Sequence, residues 1–268
     1  MLVLFAAGFP PRRMKPLILL SNDDGIESTY LVALADAFEA KTGAEVMVIA
    51  PERQRSAMSH TITLHKPLRV HPHAPNRYAA SGSPVDCVYL GVMRMCPRPP
   101  ALVVSGINDG FNLGSDVFYS GTVGAAVEGG LRGTSAMAVS LQHGQPDSLD
   151  KAVDISVALA RELLARPQAG IVWNINVPAG PDRRYAITRL GKRRYTDDVQ
   201  ERKDPRGRSY YWIGGGEAEA EELAGSDCDA MRAGITSVTP LALDLTATHL
   251  VGAGAPDWAL DGFERSQP

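Results

Sequence analysis

Asp23 and Asp24 are adjacent carboxylates, flanked by Asn22 and Gly25, at the end of the apolar run LILLS. Like charges a few ångströms apart disfavour joint ionisation, so such a pair calls for a cation between its members. Two further oxygen donors stand where other apolar runs give way to polar residues: the Ser56 hydroxyl in PERQRSAMSH and the Asn108 amide closing ALVVSGIN. Carboxylate, hydroxyl and amide oxygens are hard ligands suited to Mg²⁺, Mn²⁺ or Ca²⁺, and the lack of paired His or Cys speaks against zinc. A different kind of site lies at Ser120-Gly121-Thr122, ahead of a run of small residues read as a helix. Exposed backbone N–H groups and the helix dipole at such a start favour an anion such as phosphate. A cation beside a phosphate cradle points to a phosphate ester. The cation would polarise the phosphoryl group and acidify a water, an uncommitted aspartate would take the water's proton, and the amides would receive charge on the phosphoryl oxygens. One carboxylate could instead attack as a nucleophile, and an Asp-Asp-Gly turn can also be a plain cap. The residue types alone leave these alternatives open.

For these groups to meet, their carriers must be parallel strands sharing one edge of a sheet. LILL, AEVMVIA (44–50) and ALVVSGIN (101–108) are short apolar runs suited to strands covered on both faces, and ligands of open α/β sheets collect at the carboxyl ends. Between the first two, residues 28–40 place Leu31, Leu34, Ala35 and Phe38 at helical spacing, with Gly43 as a stop. A strand-helix-strand opening implies a right-handed crossover. TITLHKPLRV is expected to be a strand paired with RYAAS, and SGSPVDCVYLGVMRM a second crossover helix with Ser83 as N-cap, Pro84 at its first position and an inward stripe of Val85, Val88, Tyr89 and Val92. TSAMAVSLQ and IVWNINVP read as strands flanking SLDKAVDISVALARELLA, an amphipathic helix capped by Ser148. From about Ala186 the texture changes to a long β-hairpin turning at Asp204-Pro205-Arg206-Gly207 and projecting from the sheet. EAEAEELAGSDCDAMRAG reads as an acidic connector and ITSVTPLALDLT as a closing strand.

The expected architecture is α/β: a Rossmann-like three-layer sandwich with a mainly parallel central sheet and a projecting C-terminal β-hairpin. Residues 1–13 are expected to be a disordered extension, 14–185 the core, 186–250 the hairpin and closing segment of the same domain, and 251–268 a tail. Translation would be expected to start at Met14, just before the first strand.

Bulk properties agree with an ordinary globular protein. The 268 residues are 44% hydrophobic and 21% charged, with a net charge of −3, so there is no cationic excess to attract a nucleic-acid polymer or an anionic membrane. Cys87, Cys96 and Cys228 lie far apart, which suits a reducing cytoplasm. Dinucleotide, P-loop and nucleophile-elbow motifs are missing. His60, His65, His71 and His73 are expected at the surface, the last two in a Pro-rich turn. Arg193, Arg194, Arg202, Arg206 and Arg208 are expected on a solvated hairpin face.

Five blocks, LLSNDDGI (19–26), APERQRSAMSHTITL (50–64), GSPVDCVYLG (82–91), VVSGINDGFNLGSDVFYSGTVGAAVEG (103–129) and SVTPLALDLT (237–246), together resemble the SurE family of survival proteins, the stationary-phase survival 5′-nucleotidases. The resemblance implies a metal-dependent phosphatase of nucleoside 5′- and often 3′-monophosphates, with exopolyphosphatase activity in some members. Its divalent-metal ligands, for one Mg²⁺ or Mn²⁺, fall on Asp23, Asp24, Ser56 and Asn108. Asn112 and the Ser120-Gly121-Thr122 turn match segments lining its phosphate pocket, and Asn22 is counted with them. It also implies a homodimer or homotetramer contacting through the hairpin. Two departures bear on the pocket: INAGPN is the commoner form of 107–112, where this chain has Asp109 and Phe111, and the usual Ala-Pro-Gly after NDDG is replaced by Glu27-Ser28-Thr29-Tyr30. A different phosphohydrolase, acting on polyphosphate or a sugar phosphate, and a non-catalytic nucleotide-binding regulator are the competing readings.

Overall fold

The computed structural model describes residues 14–195, 199–213 and 218–251. The expected N-terminal extension and most of the expected tail, residues 252–268, lie outside the described residues. In chain order come β1 (Leu17–Ser21), α1 (Thr29–Lys41), β2 (Glu45–Pro51), β3 (Val70–Ala74), β4 (Arg77–Ala80), α2 (Pro84–Leu90), β5 (Leu102–Asp109) and α3 (Gly121–Leu131). They are followed by β6 (Ser135–Leu141), α4 (Leu149–Ala165), β7 (Ile171–Val177), β8 (Tyr185–Ile187), β9 (Arg193–Tyr195), β10 (Val199–Lys203), β11 (Ser209–Ile213), β12 (Ala218–Ala220), α5 (Asp227–Arg232) and β13 (Thr236–Ala242).

The described residues form a nine-stranded sheet in the order β3-β4-β2-β1-β5-β6-β7-β13-β8. β4, β2, β1, β5, β6 and β7 run parallel, while β3 and β13 are antiparallel to their inner neighbours. Alternation along each central strand feeds two separate cores. Ile18 and Leu20 of β1 join Phe38 of α1 and Val157 of α4, whereas Leu17 and Leu19 join Cys87 and Val88 of α2 and Val123 of α3. This is the expected three-layer α/β sandwich. On the α3 side, β6 presents Ala136 and Ala138, so a helix of small residues can sit close. A Cβ on Gly129 would come within 2.6 Å of Val103 on β5.

The crossover β1-α1-β2 moves to one side of β1, and β5 returns on the other, so the direction of winding reverses between β1 and β5. A crevice at their carboxyl ends follows from that reversal.

Several local expectations need correction. Of TITLHKPLRV only Val70 lies in a strand; the partner of β4 is Val70–Ala74, which includes His71 and His73. Pro72 lacks an N–H and is tolerated there because β3 is an edge strand whose register shifts at that point. Thr63 instead gives its backbone N–H and hydroxyl to Asp86 at the start of α2, at 2.8 and 2.6 Å. Ser83 and Asp86 form a full capping box there. Ser148 precedes α4 but makes no side-chain cap, because a 3₁₀ turn over Pro146–Ser148 leads into the helix. The acidic connector contains β12 and α5, and Ala186 belongs to β8 in the main sheet. The hairpin itself is present: β10 pairs with β11, Asp204 closes the turn and Gly207 adopts φ +81°. All three cysteines are free. Among the described residues no helix is long and apolar enough to cross a membrane.

Candidate functional site

Asn22 turns the chain as β1 ends. Its amide donates to the Gly25 carbonyl at 3.0 Å and accepts from the Gly25 N–H at 3.1 Å, closing the NDDG turn on itself. Gly25 has φ +100°, and a Cβ there would meet the Arg53 backbone at 3.1 Å, so only glycine fits. The two carboxylates project from this turn. Asp23 is buried; its Oδ1 accepts from the Thr122 hydroxyl at the start of α3, and its carbonyl accepts from the Arg55 N–H at 2.7 Å. Burial pushes its carboxyl pKa up, while bonds from Thr122 and from backbone N–H groups pull it back. Asp24 is pushed up to about 6, first by burial and then by the charge of Asp23; the Asp109 backbone N–H opposes this and the Asp109 carboxylate adds to it. Among the described residues Asp24 Oδ2 is buried and has no hydrogen-bond partner.

Asp23, Asp24, Ser56, Asn108, Asn112 and Ser120 all line one cleft of about 400 Å³ at the crevice between β1 and β5. Ser56 is exposed on the loop after β2 and accepts from Gln54 Nε2 at 3.1 Å. Asn108 donates its amide N–H to the Gly110 carbonyl at 2.7 Å, leaving its Oδ1 as an acceptor. Asn112 is held from below by β6 and β7: its N–H meets Asn176 Oδ1, its side-chain amide meets Ser140 Oγ, and its carbonyl accepts from both Asn174 and Asn176. Asn108, Ser140, Asn176 and Ser237 are successive register partners across four strands, a polar row under the cleft floor.

Three expected phosphate contacts are placed differently. Asn22 is fully buried with both side-chain atoms committed to Gly25, so it shapes the turn. Thr122 is buried and spends its hydroxyl on Asp23. Gly121 lies against Asp23, where a Cβ would come 3.2 Å from Oδ2. The positive end of α3 therefore faces an anion already in the chain. Ser120 alone of that turn lines the cleft, with its Oγ accepting from the Val123 N–H as N-cap.

The cleft is also lined by two residues already marked as departures near the pocket and by Asp116, Tyr119 and Tyr195, which the sequence did not mark. Asp109 and Phe111, the two departures in 107–112, both face the cleft, and Asp109 also lies 3.1 Å from His143 Nδ1. Tyr119 and Asp116 come from the loop before α3. Tyr195 reaches the cleft from β9, at the base of the hairpin, and donates to Asp116 Oδ1 at 2.7 Å. Its hydroxyl pKa is pushed up to about 12 by burial and by that carboxylate. Arg193 pairs with Asp116 too, so it is not on a solvated face. The signal available was the polar density of 108–119; the hairpin's approach is a tertiary event.

The set at the cleft can hold a hard divalent cation: two carboxylates, a hydroxyl and an amide oxygen, all oxygen donors. The buried, unpartnered Asp24 Oδ2 is the atom whose environment asks for one. Among the described residues no cluster of three or more His, Cys, Asp or Glu forms a metal site of another kind.

Residues 18–197 match the model of the family described as survival protein SurE. The chain is 50% identical over 252 residues to the 5′-nucleotidase SurE of Anaeromyxobacter sp. (strain Fw109-5), covering 92% of this chain and 98% of that one. It is 47% identical over 233 residues to the 5′-nucleotidase SurE of Syntrophotalea carbinolica, covering 86% and 92%. The crystal structure of the SurE protein from Aquifex aeolicus superposes with a TM-score of 0.76 at 34% identity, over 88% of this chain and 97% of that one. On fold, blocks and extent of match alike, the chain belongs to the SurE family.

Proposed function

We propose that the chain is a divalent-metal-dependent phosphomonoesterase that hydrolyses nucleoside 5′-monophosphates, and 3′-monophosphates as further substrates, to nucleoside and phosphate. The observation that carries this is the buried Asp24 Oδ2, unpartnered beside Asp23 in a polar cleft at the sheet's switch point. The relatives' name, 5′-nucleotidase, supplies the substrate class. Asp23, Asp24, Ser56 and Asn108 would hold the cation, Mg²⁺ or Mn²⁺. When bound, it would supply Lewis-acid polarisation of the phosphoryl group and lower the pKa of a water. The chain's own contribution is position. Thr122 fixes the Asp23 carboxylate, the Asn22–Gly25 turn fixes Asp24 beside it, and the Asn176–Asn112 bonds fix the loop opposite. A carboxylate oxygen of the pair accepts the water's proton as the new P–O bond forms, the ester P–O bond breaks and the nucleoside oxygen takes up a proton. Ser120 and Asn112 line the phosphate side. Phe111, Tyr119 and Tyr195 give the cleft aromatic surface for a base or ribose. The same reading carries a cytoplasmic homo-oligomer, dimer or tetramer, assembled through the exposed Tyr210, Tyr211 and Trp212 of the hairpin.

The test is phosphate release from 5′- and 3′-monophosphates, a sugar phosphate and polyphosphate, each with Mg²⁺, Mn²⁺, Ca²⁺ or chelator, with Asp23→Asn as control. Metal-dependent release from nucleoside monophosphates that Asp23→Asn abolishes is expected. Release that is equal in chelator, or preferred from polyphosphate, would sink it; saturable nucleotide binding without any release would favour a regulator.

A further inference from the structure

Glu128 is a buried carboxylate away from the cleft, 1% exposed on α3. It lies six residues beyond Thr122, which at the helical rise is about 9 Å along the axis from the group that holds Asp23. A charge this enclosed is costly unless paired. Arg132 Nε donates to its Oε1 at 2.7 Å, and Arg132 is itself stacked 4.6 Å over the Tyr89 ring of α2. The other oxygen, Oε2, is turned to a loop: His60 Nε2 lies 3.0 Å away.

His60 stands four residues after Ser56, and the intervening chain is tightly specified. Ala57 and Ser59 adopt φ 56° and 51°, left-handed conformations that cost a residue with a Cβ about 1–2 kcal/mol and persist only where the surroundings impose them. The surroundings here are α3 and the loop before it. The Ser59 N–H donates to the Tyr119 carbonyl at 3.0 Å, its hydroxyl donates to the Phe118 carbonyl at 2.6 Å, and Gly124 leaves room for the Ser59 carbonyl to lie on the helix. One helix thus grips Asp23 at its first turn and the Ser56 loop two turns later.

We infer that His60, anchored by Glu128, is a positioning residue for Ser56. Taking Ser56 as a metal ligand, as the proposed function does, His60 fixes the loop on α3 so that the hydroxyl and the Asp23 carboxylate stay in one frame. It is not among the residues lining the cleft.

The test is Mn²⁺ titration of the substrate-free protein, followed by the electron paramagnetic resonance of the free ion, with thermal melting to confirm folding. His60 is partly exposed and its removal leaves Glu128 with Arg132, so the variants fold. His60→Ala and Ser56→Ala each weaken Mn²⁺ binding by roughly tenfold, the range seen when partners behind a ligand are lost. His60→Gln, whose amide can still donate to Glu128, stays within about threefold of the parent, and the double Ser56→Ala/His60→Ala variant binds no more weakly than Ser56→Ala alone. Parental affinity in His60→Ala beside a weakened Ser56→Ala, or losses that multiply in the double variant, overturn the inference alone. Parental affinity in Ser56→Ala removes the ligand assignment and the inference together, while metal-dependent phosphate release would still stand by itself.

Discussion

Gly124→Ala separates the stability of α3 from the placement of the loop it carries. In a free helix the change is favourable by about 1 kcal/mol. In this fold the new Cβ would lie 2.6 Å from the Ser59 carbonyl oxygen, 3.0 Å from its carbon and 3.2 Å from His60 Cα, all backbone atoms that no rotamer can move aside. Ordinary contact begins at 3.4 Å, so the loop must retreat by 3.4 − 2.6, about 0.8 Å. Overpacking of this kind costs about 1–3 kcal/mol, which largely cancels the helical gain and leaves a net loss of about 0–2 kcal/mol. For a chain of this size the melting temperature then falls by no more than about 5 °C. Activity is less forgiving, because working constellations are held within about 0.5 Å and a displacement near 1 Å costs about 100-fold. The expected result is a 30–100-fold drop in kcat/KM for a nucleoside monophosphate, about 2–3 kcal/mol of transition-state stabilisation, in a protein that melts almost normally. Initial rates of phosphate release at saturating Mn²⁺, with calorimetry on the same preparation, measure both. Parental kcat/KM in a folded Gly124→Ala variant would refute the idea that loop placement on α3 governs the site.

Asp24 makes the metal-free protein sensitive to pH. Its folded pKa, about 6 against 3.8, is raised, so the penalty is absent below pH 3.8 and grows as pH rises through 6. The difference of 2.2 is at most about 3 kcal/mol, reduced by water access to about 1–2 kcal/mol. Metal-free Asp24→Asn should therefore be the more stable protein at pH 7.5 and match the parent at pH 4; denaturant melts of both proteins at both values check this, and a variant no more stable than the parent at pH 7.5 would contradict it. Asp227→Asn should destabilise by about 2–4 kcal/mol, since the buried carboxylate accepts from the Gly114, Gly191 and Cys228 N–H groups at 2.7–2.8 Å and an amide would oppose one of them. Urea unfolding reads the loss, and a midpoint within error of the parent would show that the 110–118 loop is not tied to the hairpin base through this residue.

Local signals located the strand ends well and the partners of those ends poorly. LILLSNDDG, PERQRSAMSH and ALVVSGIN could be read as converging because a run buried on both faces belongs in a parallel sheet, and its first polar residues fall at one edge. That Asp23, Asp24, Ser56 and Asn108 share a cleft follows from this alternation and from the reversal between β1 and β5. The start of α3 was also legible as a place for negative charge. Its occupant was not, because the distance from Thr122 to Asp23 is set by how close a small-residue helix can approach β5 and β6. TITLHKPLRV alternates like a strand, yet Asp86 takes the backbone and hydroxyl of Thr63 and holds that stretch out of the sheet. Arg193 looked like a solvated hairpin residue, and Tyr195 drew no notice, because nothing in their neighbourhood along the chain announces Asp116, more than seventy positions earlier.

The small residues of α3 carry a consequence for how the site comes into being. Gly124, Gly129 and Gly130 lie inside the helix, each at close range to a neighbouring segment. Each disfavours an isolated helix by about 1 kcal/mol, and an eleven-residue segment so composed would be mostly coil in water. Helicity there is a product of docking on the sheet. Helix formation in α3, capture of Asp23 and seating of the Ser56 loop are therefore coupled in the folded protein, because each contact requires the helix to lie on the sheet.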